Sequence, residues 1–172
     1  IINGKSNIYK VTFSTINKTM GLSIYKRNDL PTNGAVVHIL PNKEADIEAK
    51  FTNEIAKHIR KEWENEINPV ELFHNGQKCF VYFTEDGKPN VQQEKARKAA
   101  YGVQGILTKH KYASVTITAT DDSAKIAMAF AQGFMLSTYR FLKYFTKPEK
   151  KECSVKEVCM VSEAISEKEI EE

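Results

Sequence analysis

The chain has 172 residues, a formal net charge of +3, 41% apolar residues and 27% charged residues. This length allows one domain with a sizeable core, and the composition is ordinary for a globular protein. The longest apolar stretch, residues 126–136, is too short to span a bilayer. No basic start followed by an apolar run marks a signal peptide. The small net charge argues neither for nor against a nucleic-acid partner.

Three cysteines occur in the chain: Cys79, Cys153 and Cys159. Their odd number and the lack of a CxxC pair argue against a disulfide framework and against a zinc knuckle. We therefore expect reduced thiols in a cytoplasmic protein.

The first forty residues predict three strands. Apolar and polar side chains alternate over residues 9–13, and a second short strand follows Gly21 at Leu22 and Ile24. Residues 35–40 are mostly apolar, which is typical of a strand buried on both faces.

A helix is expected after the third strand, with Asn42 as its N-cap. Apolar residues recur at every fourth position and predict one amphipathic helix with basic residues mostly on its wet side. The apolar positions are Ile47, Phe51, Ile55, Ile59 and Trp63.

A β-hairpin is predicted for residues 70–83, because Asn75 and Gly76 supply the positive φ angles of a two-residue type I′ loop. That loop sets the register of the two strands. It places two pairs on one face, Leu72 with Cys79 and Val70 with Val81.

A second helix is expected to begin at a capping box formed by Asn90 and Gln93. Its buried face comprises Ala96, Ala99, Ala100, Val103, Ile106 and Leu107. Residues 115–119 then alternate between apolar residues and threonines, which predicts a strand.

A third helix is expected to run to about Tyr144, capped by Asp121, Asp122 or Ser123. Residues 155–161 predict a last strand. The alternation of helices and strands in this half suggests parallel pairing with right-handed crossovers. Together with the hairpin, it predicts an α/β domain with a mixed sheet and helices on both faces.

No histidine has the spacing of a metal site, and we interpret each as a structural or surface residue. They are His38, His58, His74 and His110. The chain contains no nucleophile elbow and no phosphate-binding loop. Cys79 faces inward in the predicted hairpin and is interpreted as an inert core thiol. We therefore assign no catalytic, cofactor-binding or metal-binding residue.

Three weaker patterns have both a functional and a structural interpretation. Asp121 and Asp122 could bind a metal, but a helix cap explains them better. Gly102-Val103-Gln104-Gly105 matches the GXXG loop of RNA-binding KH domains, yet it lies in a helical pattern where close packing is favoured. Residues 139–147 interleave aromatic and basic side chains. They fit a helix C-terminus better than a single-strand nucleic-acid site, whose affinity would fall with salt.

Two segments resemble the N-terminal domain of the leucyl aminopeptidases, also called cytosol aminopeptidases. Residues 94–100, EKARKAA, match an ExxRKAA-like helix of that family. Residues 131–144, AQGFMLSTYRFLKY, match an EGxxLxxYxFxxY-like pattern, with Gln132 in place of the usual glutamate. Gly133 would let a neighbouring element approach closely, so the pattern identifies a fold more than a site. Before about Pro69 the resemblance is limited to the order of the predicted strands and helices.

The resemblance implies a macro-domain-like three-layer α/β fold over residues 1–161. It also implies that residues 162–172 begin a linker helix toward an absent C-terminal catalytic domain. In the family that domain holds two divalent metals, of zinc or manganese type, and none of its ligand signature occurs in this chain. The chain would then be a non-catalytic assembly or access domain of a cytoplasmic homo-hexamer, with no membrane or nucleic-acid partner.

An alternative function is a stand-alone macro-like module that binds ADP-ribose or another nucleotide. The strand ends of such a sheet suit a nucleotide. The sequence has no glycine-rich phosphate loop, however, and a fold alone does not give a function.

Overall fold

The computed structural model describes residues 9–11, 21–41, 44–138 and 153–165. These residues form a seven-stranded sheet with helices on both faces. The strands are β1 (Tyr9–Val11), β2 (Ser23–Lys26), β3 (Ala35–Pro41), β4 (Val70–His74), β5 (Gln77–Thr84), β6 (Ser114–Ala119) and β7 (Glu157–Val161). The helices are α1 (Glu44–Lys50), α2 (Asn53–Glu64), α3 (Pro89–Lys109) and α4 (Ala124–Thr138), with a 3₁₀ turn (Asp121–Ser123) before α4.

The strand order is β1-β2-β7-β6-β3-β5-β4. The five inner strands are parallel, and the two outer strands, β1 and β4, each pair antiparallel with their neighbour. Strand β3 lies at the centre between β5 and β6, and all of residues 35–40 are buried, as predicted. Strand β2 pairs with β7, so Ser23 lies opposite Glu157 from the far end of the chain.

The predicted hairpin is confirmed in both its turn and its register. Asn75 and Gly76 have φ angles of 50° and 75°, as a type I′ turn requires. Leu72 lies opposite Cys79 and Val70 lies opposite Val81.

Helices cover both faces of the sheet, as the sequence predicts. Helices α3 and α4 pack on the face that carries Val37, Ile39 and Phe80, and together they form the larger hydrophobic core. Helices α1 and α2 pack on the opposite face against residues such as Leu40 and Val81. The predicted inner face of α3 is confirmed, with Ala99 and Ile106 at its partly buried margin.

The prediction of one continuous helix over Ile47 to Trp63 is wrong, because the segment forms two helices. Helix α1 ends at Lys50, and α2 begins after Thr52, whose extended backbone (φ −64°, ψ 157°) interrupts the helical path. Ile47, Phe51 and Ile59 are nevertheless all buried against the sheet, so the predicted apolar face is confirmed.

Of the two predicted helix caps, that of α3 differs from the structure, whereas Ser123, one of the three alternatives before α4, takes part in a capping box. Helix α3 begins at Pro89 after Lys88, so Asn90 is inside the first turn and forms no cap. Proline is suited to that first position because its φ angle is already helical and no hydrogen bond needs its missing N–H. Before α4, Thr120 and Ser123 form a reciprocal capping box around the 3₁₀ turn, and the two aspartates lie inside it.

The last strand begins at Glu157 rather than at residue 155, and residues 162–165 after it are not helical. The predictions for Phe13, Asn42, residues 139–147 and the rest of the acidic segment fall outside the described residues. Within the described part, no helix is long and apolar enough to cross a membrane.

Candidate functional site

The sheet has one topological switch point, at the carboxyl ends of β3 and β6. From β3 the chain moves to β5 on one side, and α3 then carries it back to β6 on the other side. Open α/β sheets bind ligands in the crevice outside the strand ends at such a point. This crevice is therefore the candidate ligand-binding site.

The buried hydroxyl of Ser123 forms hydrogen bonds to both sides of this crevice. The Ser123 side chain is 1% exposed, and its Oγ donates to the Ile39 carbonyl oxygen at 3.0 Å. The same Oγ accepts the Thr120 backbone N–H at 3.1 Å. Since Ile39 belongs to β3 and Thr120 follows β6, the turn closes directly over the gap between the two strands.

Acidic residues follow the ends of β6 and β5, the strands on either side of β3. Asp121 and Asp122 are exposed in the 3₁₀ turn, and Glu85 and Asp86 follow the end of β5. The start of a helix attracts anions, and here the two aspartates of the chain itself occupy that position. A phosphate entering the crevice would meet like charges there.

In the described part of the chain, Asp121 and Asp122 belong to no cluster of potential metal ligands. No group of three or more histidine, cysteine, aspartate or glutamate side chains there could hold a metal ion.

His38 lies buried in the centre of the sheet and has structural contacts. Its Nδ1 is 2.9 Å from the Thr118 Oγ1, and its ring meets the Phe51 ring edge-on at 5.3 Å between centroids. Burial, together with the nearby Lys50 and His74, lowers the pKa of His38 to about 4. The imidazole is therefore neutral at pH 7, as suits a core residue.

The other three histidines do not join it in a site. His74 contacts the Phe51 ring, with 5.2 Å between ring centroids, while His58 and His110 are exposed. The interpretation of all four as structural or surface residues agrees with these positions.

All three cysteines are free and buried. Burial raises the pKa of the Cys79 thiol, and it raises that of Cys159 to about 11. The Cys153 Sγ receives a hydrogen bond from the Gln104 Nε2 at 2.6 Å. Since Cys79 and Cys159 stay protonated at neutral pH, neither is an activated nucleophile.

The GXXG match lies within α3, so it has no loop that could clamp a nucleic-acid backbone. The alternative prediction, that close packing explains Gly102 and Gly105, is also wrong. A Cβ added to either glycine would meet nothing within 4 Å.

The prediction that Gly133 allows a neighbouring element to approach closely is confirmed. A Cβ there would lie 2.7 Å from the Ala100 Cβ and 2.7 Å from the Arg97 carbonyl oxygen. Helix α4 can therefore approach α3 this closely only because residue 133 has no side chain. Arg97 also donates to the Gln132 Oε1 from Nη2 at 3.0 Å and from Nε at 3.3 Å. The two segments that carry the family resemblance thus meet in one helix–helix contact.

A groove between α3 and the β4–β5 hairpin was missed by the sequence analysis. It has a volume of about 540 Å³ and is lined in part by Tyr82 and Gly102. One signal was present in the sequence, since two glycines inside a helix need an explanation.

The sheet order and the helices on both faces define a macrodomain-like α/β domain. No protein-family model matches the chain, and no curated protein matches it significantly. A mutant macrodomain from Oceanobacillus iheyensis matches with a TM-score of 0.59 and 10% identity, over 94% of this chain and 89% of that one. The macrodomain of the same organism with ADP gives 0.59 and 11%, over 94% and 90%.

A mutant of tomato leucine aminopeptidase is also similar in structure. The TM-score is 0.57 and the identity 12%, over 87% of this chain and 34% of the aminopeptidase. The chain thus spans about a third of that protein. At these identities each likeness shows the fold alone.

Proposed function

We propose that this chain is the non-catalytic N-terminal domain of a leucyl aminopeptidase, a metal-dependent enzyme that removes N-terminal residues from peptides. The observation that carries the proposal is the α3–α4 contact at Gly133. The residues that carry the family resemblance also make this contact: Arg97 and Ala100 from one segment, Gln132 and Gly133 from the other. A chance match in sequence would not be expected to form a single packed unit.

The likeness to tomato leucine aminopeptidase supports the proposal, because a domain of this kind would match only part of a larger enzyme. The match covers 34% of that enzyme and 87% of this chain. The two divalent metals and their ligands would belong to a catalytic domain that follows residue 172.

In this proposal the domain guides assembly of a cytoplasmic homo-hexamer and limits the access of substrates. It contributes no group to the hydrolysis of the peptide bond. Its carboxylates at the strand ends and its buried thiols accordingly need no catalytic role.

The first test is to sequence the gene past the codon for Glu172. A reading frame that continues into a domain with the lysine, aspartate and glutamate ligands is the expected result. A stop codon directly after Glu172 would refute the proposal.

The second test uses the full-length protein and a form that lacks residues 1–172. We expect the shortened form to lose the hexamer in sedimentation, or to hydrolyse long peptides and leucine anilide with altered preference. Normal assembly and normal activity without these residues would show that the domain has neither role.

A second function, nucleotide binding by a stand-alone module, is favoured by one observation. The match to the macrodomains extends over 94% of this chain and about 90% of theirs, and one of them is described with ADP. Calorimetric titration of the chain with ADP-ribose separates the two functions. Micromolar binding would support the nucleotide module, whereas absent or millimolar binding, which the carboxylates of the crevice lead us to expect, would exclude it.

A further inference from the structure

Strand β4 is an outer edge of the sheet that lacks the usual protection against further pairing. Its inner side pairs with β5, and no strand that the structure describes pairs with its outer side. Protein sheets often protect such an edge with a lysine, a proline or a bulge. Residues 70–74 contain neither lysine nor proline, and their register with β5 is regular. The edge is therefore able to pair with a further strand.

The turn of the hairpin determines which backbone groups point outward from β4. His74 and Gln77 flank the two-residue loop and exchange both of their hydrogen bonds. Hydrogen-bonded pairs alternate along an antiparallel ladder, so the even-numbered residues of β4 bond to β5. Glu71 and Phe73 direct their N–H and C=O groups outward instead. Among the described residues, none forms a hydrogen bond with these four backbone groups.

The side chains of Glu71 and Phe73 lie beside a lysine of the neighbouring strand. Phe73 is 64% exposed, whereas the other phenylalanines that the structure describes are all buried. The Lys78 Nζ lies 5.0 Å from the centre of the Phe73 ring and also pairs with the Glu71 carboxylate. An acidic group that approaches Phe73 from outside would therefore meet a positive charge.

An antiparallel copy of β4 fits this edge in one register. A two-fold axis at Leu72 places Glu71 of each copy opposite Phe73 of the other. Because both residues point outward, each of these two pairs exchanges two hydrogen bonds, and all the outward groups of residues 71 and 73 are satisfied. The same register brings the Glu71 carboxylate of each copy toward Lys78 of the other, so the charges are complementary.

The neighbouring registers are less favourable. An axis at Glu71 would place two like charges opposite each other. It would also place Phe73 opposite Pro69, which has no N–H to donate. An axis at Phe73 would place Glu71 opposite Asn75, which belongs to the turn. The edge thus matches itself best about Leu72.

We propose that two copies of this chain associate through their β4 edges and continue the sheet across a two-fold axis. Such an interface is closed, because each edge covers the other. Phe73 of the second copy lies beside Glu71, which lines the groove between α3 and the hairpin, and there it loses exposure to water. The proposal does not depend on the aminopeptidase assignment, because it concerns this chain alone.

The test is sedimentation equilibrium of the native chain over a series of concentrations. We expect a reversible equilibrium between monomer and dimer with a micromolar Kd, because a pair of short edge strands buries little surface. A chain that remains monomeric up to about 500 μM, beyond the range of a micromolar interface, would overturn the proposal. The edge would then be left to a strand of another protein.

Phe73→Glu tests whether this edge forms the interface. The variant places a carboxylate opposite Glu71 of the other copy, and we expect the Kd of the dimer to rise about tenfold or more. Leu136→Glu is the matched control, since Leu136 is 62% exposed but lies on α4. It should change the Kd by less than about twofold. Equal Kd values for the wild type and Phe73→Glu would overturn the proposal.

A double variant tests the register. Glu71→Lys combined with Phe73→Glu places opposite charges in both facing pairs, and position 73 also lies opposite Lys78 of its own hairpin. We expect its Kd to return to within about threefold of the wild-type value. A double variant that dimerises as weakly as Phe73→Glu would overturn the proposed pairing.

Circular dichroism establishes that each variant is folded. Phe73→Thr replaces Phe73→Glu if that variant unfolds, because threonine suits a strand and removes only the ring. Its Kd should rise about fivefold, since the second copy no longer covers an aromatic side chain. An unchanged Kd for Phe73→Thr would overturn the proposal in the same way.

Discussion

Gly133 marks the closest approach of α3 and α4, and the structure has no room for a side chain there. We expect Gly133→Ala to lower the free energy of unfolding by about 2 kcal/mol, because the new methyl group would overlap Ala100 and the Arg97 carbonyl oxygen. Urea denaturation followed by circular dichroism measures the change.

Gly105→Ala is the matched control, since the same substitution in α3 meets open space. It should raise the stability by about 0.5–1 kcal/mol through helix propensity alone. Equal effects of the two substitutions would mean that the helices do not meet closely at Gly133.

His38 makes the stability of the domain depend on pH. Its pKa is about 4 in the folded chain and 6.5 in the unfolded chain. Between these values only the unfolded chain takes up the proton, so stability is lost as the pH falls from 6.5 to 4. The linkage amounts to about 3 kcal/mol over that window.

The measurement compares unfolding of the wild type and of His38→Phe at several pH values between 4 and 7. We expect the wild type to lose about 3 kcal/mol more than the variant over this range. Parallel profiles for wild type and His38→Phe would contradict a buried neutral imidazole.

Single residues also show what the sequence could reveal about the site. Gly133 was predicted correctly because a glycine amid large apolar residues indicates a helix contact. The groove that Tyr82 lines could not be predicted, since it depends on how α3 packs beside the hairpin. The strand pattern places Tyr82 in the sheet but says nothing of the groove next to it.

At the scale of elements, the division between α1 and α2 has a geometric cause. Successive residues of an α-helix are rotated by about 100°, so apolar residues at every fourth position drift around the helix by about 40° per step. Over the four steps from Ile47 to Trp63 the drift would reach about 160°. The interruption at Thr52 lets α2 turn its apolar side back toward the sheet, so that Ile59 is buried there as Ile47 is.

The register of the hairpin was predicted correctly because neighbouring residues in the sequence determine it. Asn75-Gly76 fixes the turn, and the turn fixes every pair that follows. The caps of α3 and of the 3₁₀ turn were predicted less well, since several adjacent polar residues are able to cap. The choice among them is made by packing of the helix on the sheet.

The 3₁₀ turn before α4 is held by Ser123. We expect Ser123→Ala to lower the stability by about 2 kcal/mol, because the Ile39 carbonyl oxygen and the Thr120 N–H both lose a buried partner. Thermal unfolding monitored by calorimetry checks this value.

Ser137→Ala serves as the comparison for Ser123→Ala. Among the residues that the structure describes, the Ser137 hydroxyl donates to the Phe134 carbonyl oxygen within its own helix, so its loss should change the stability by less than about 0.5 kcal/mol. If the two serine variants were equally stable, the turn would not depend on the buried hydroxyl.

For the whole molecule, burial should protect the thiols from reagents. We expect Cys79, Cys153 and Cys159 to react with maleimide at pH 7 only as fast as the domain unfolds. Mass spectrometry after timed labelling measures the rate, and labelling in urea gives the reference for exposed thiols. Rapid modification of any of the three without denaturant would contradict the buried arrangement.

The layered architecture was predictable from the sequence, but the order of the strands was not. Alternating helices and strands indicate a mixed sheet with helices on both faces. They do not determine that β3 lies between β5 and β6, because this depends on contacts between distant segments. The switch point follows from that order, so the sequence could suggest the strand ends as a site but could not place it between β3 and β6.

The pairing of β2 with β7 has a consequence for how the domain is made. During synthesis an early strand, at Ser23, must wait for the segment around Glu157 to leave the ribosome. Pairings between such distant segments close large loops, and they slow folding. Until then the edges of β2 and β6 that β7 will occupy both stay unpaired, and exposed strand edges are where nascent chains aggregate. The cell would therefore have most reason to shield this domain with a chaperone until the β7 segment has left the ribosome.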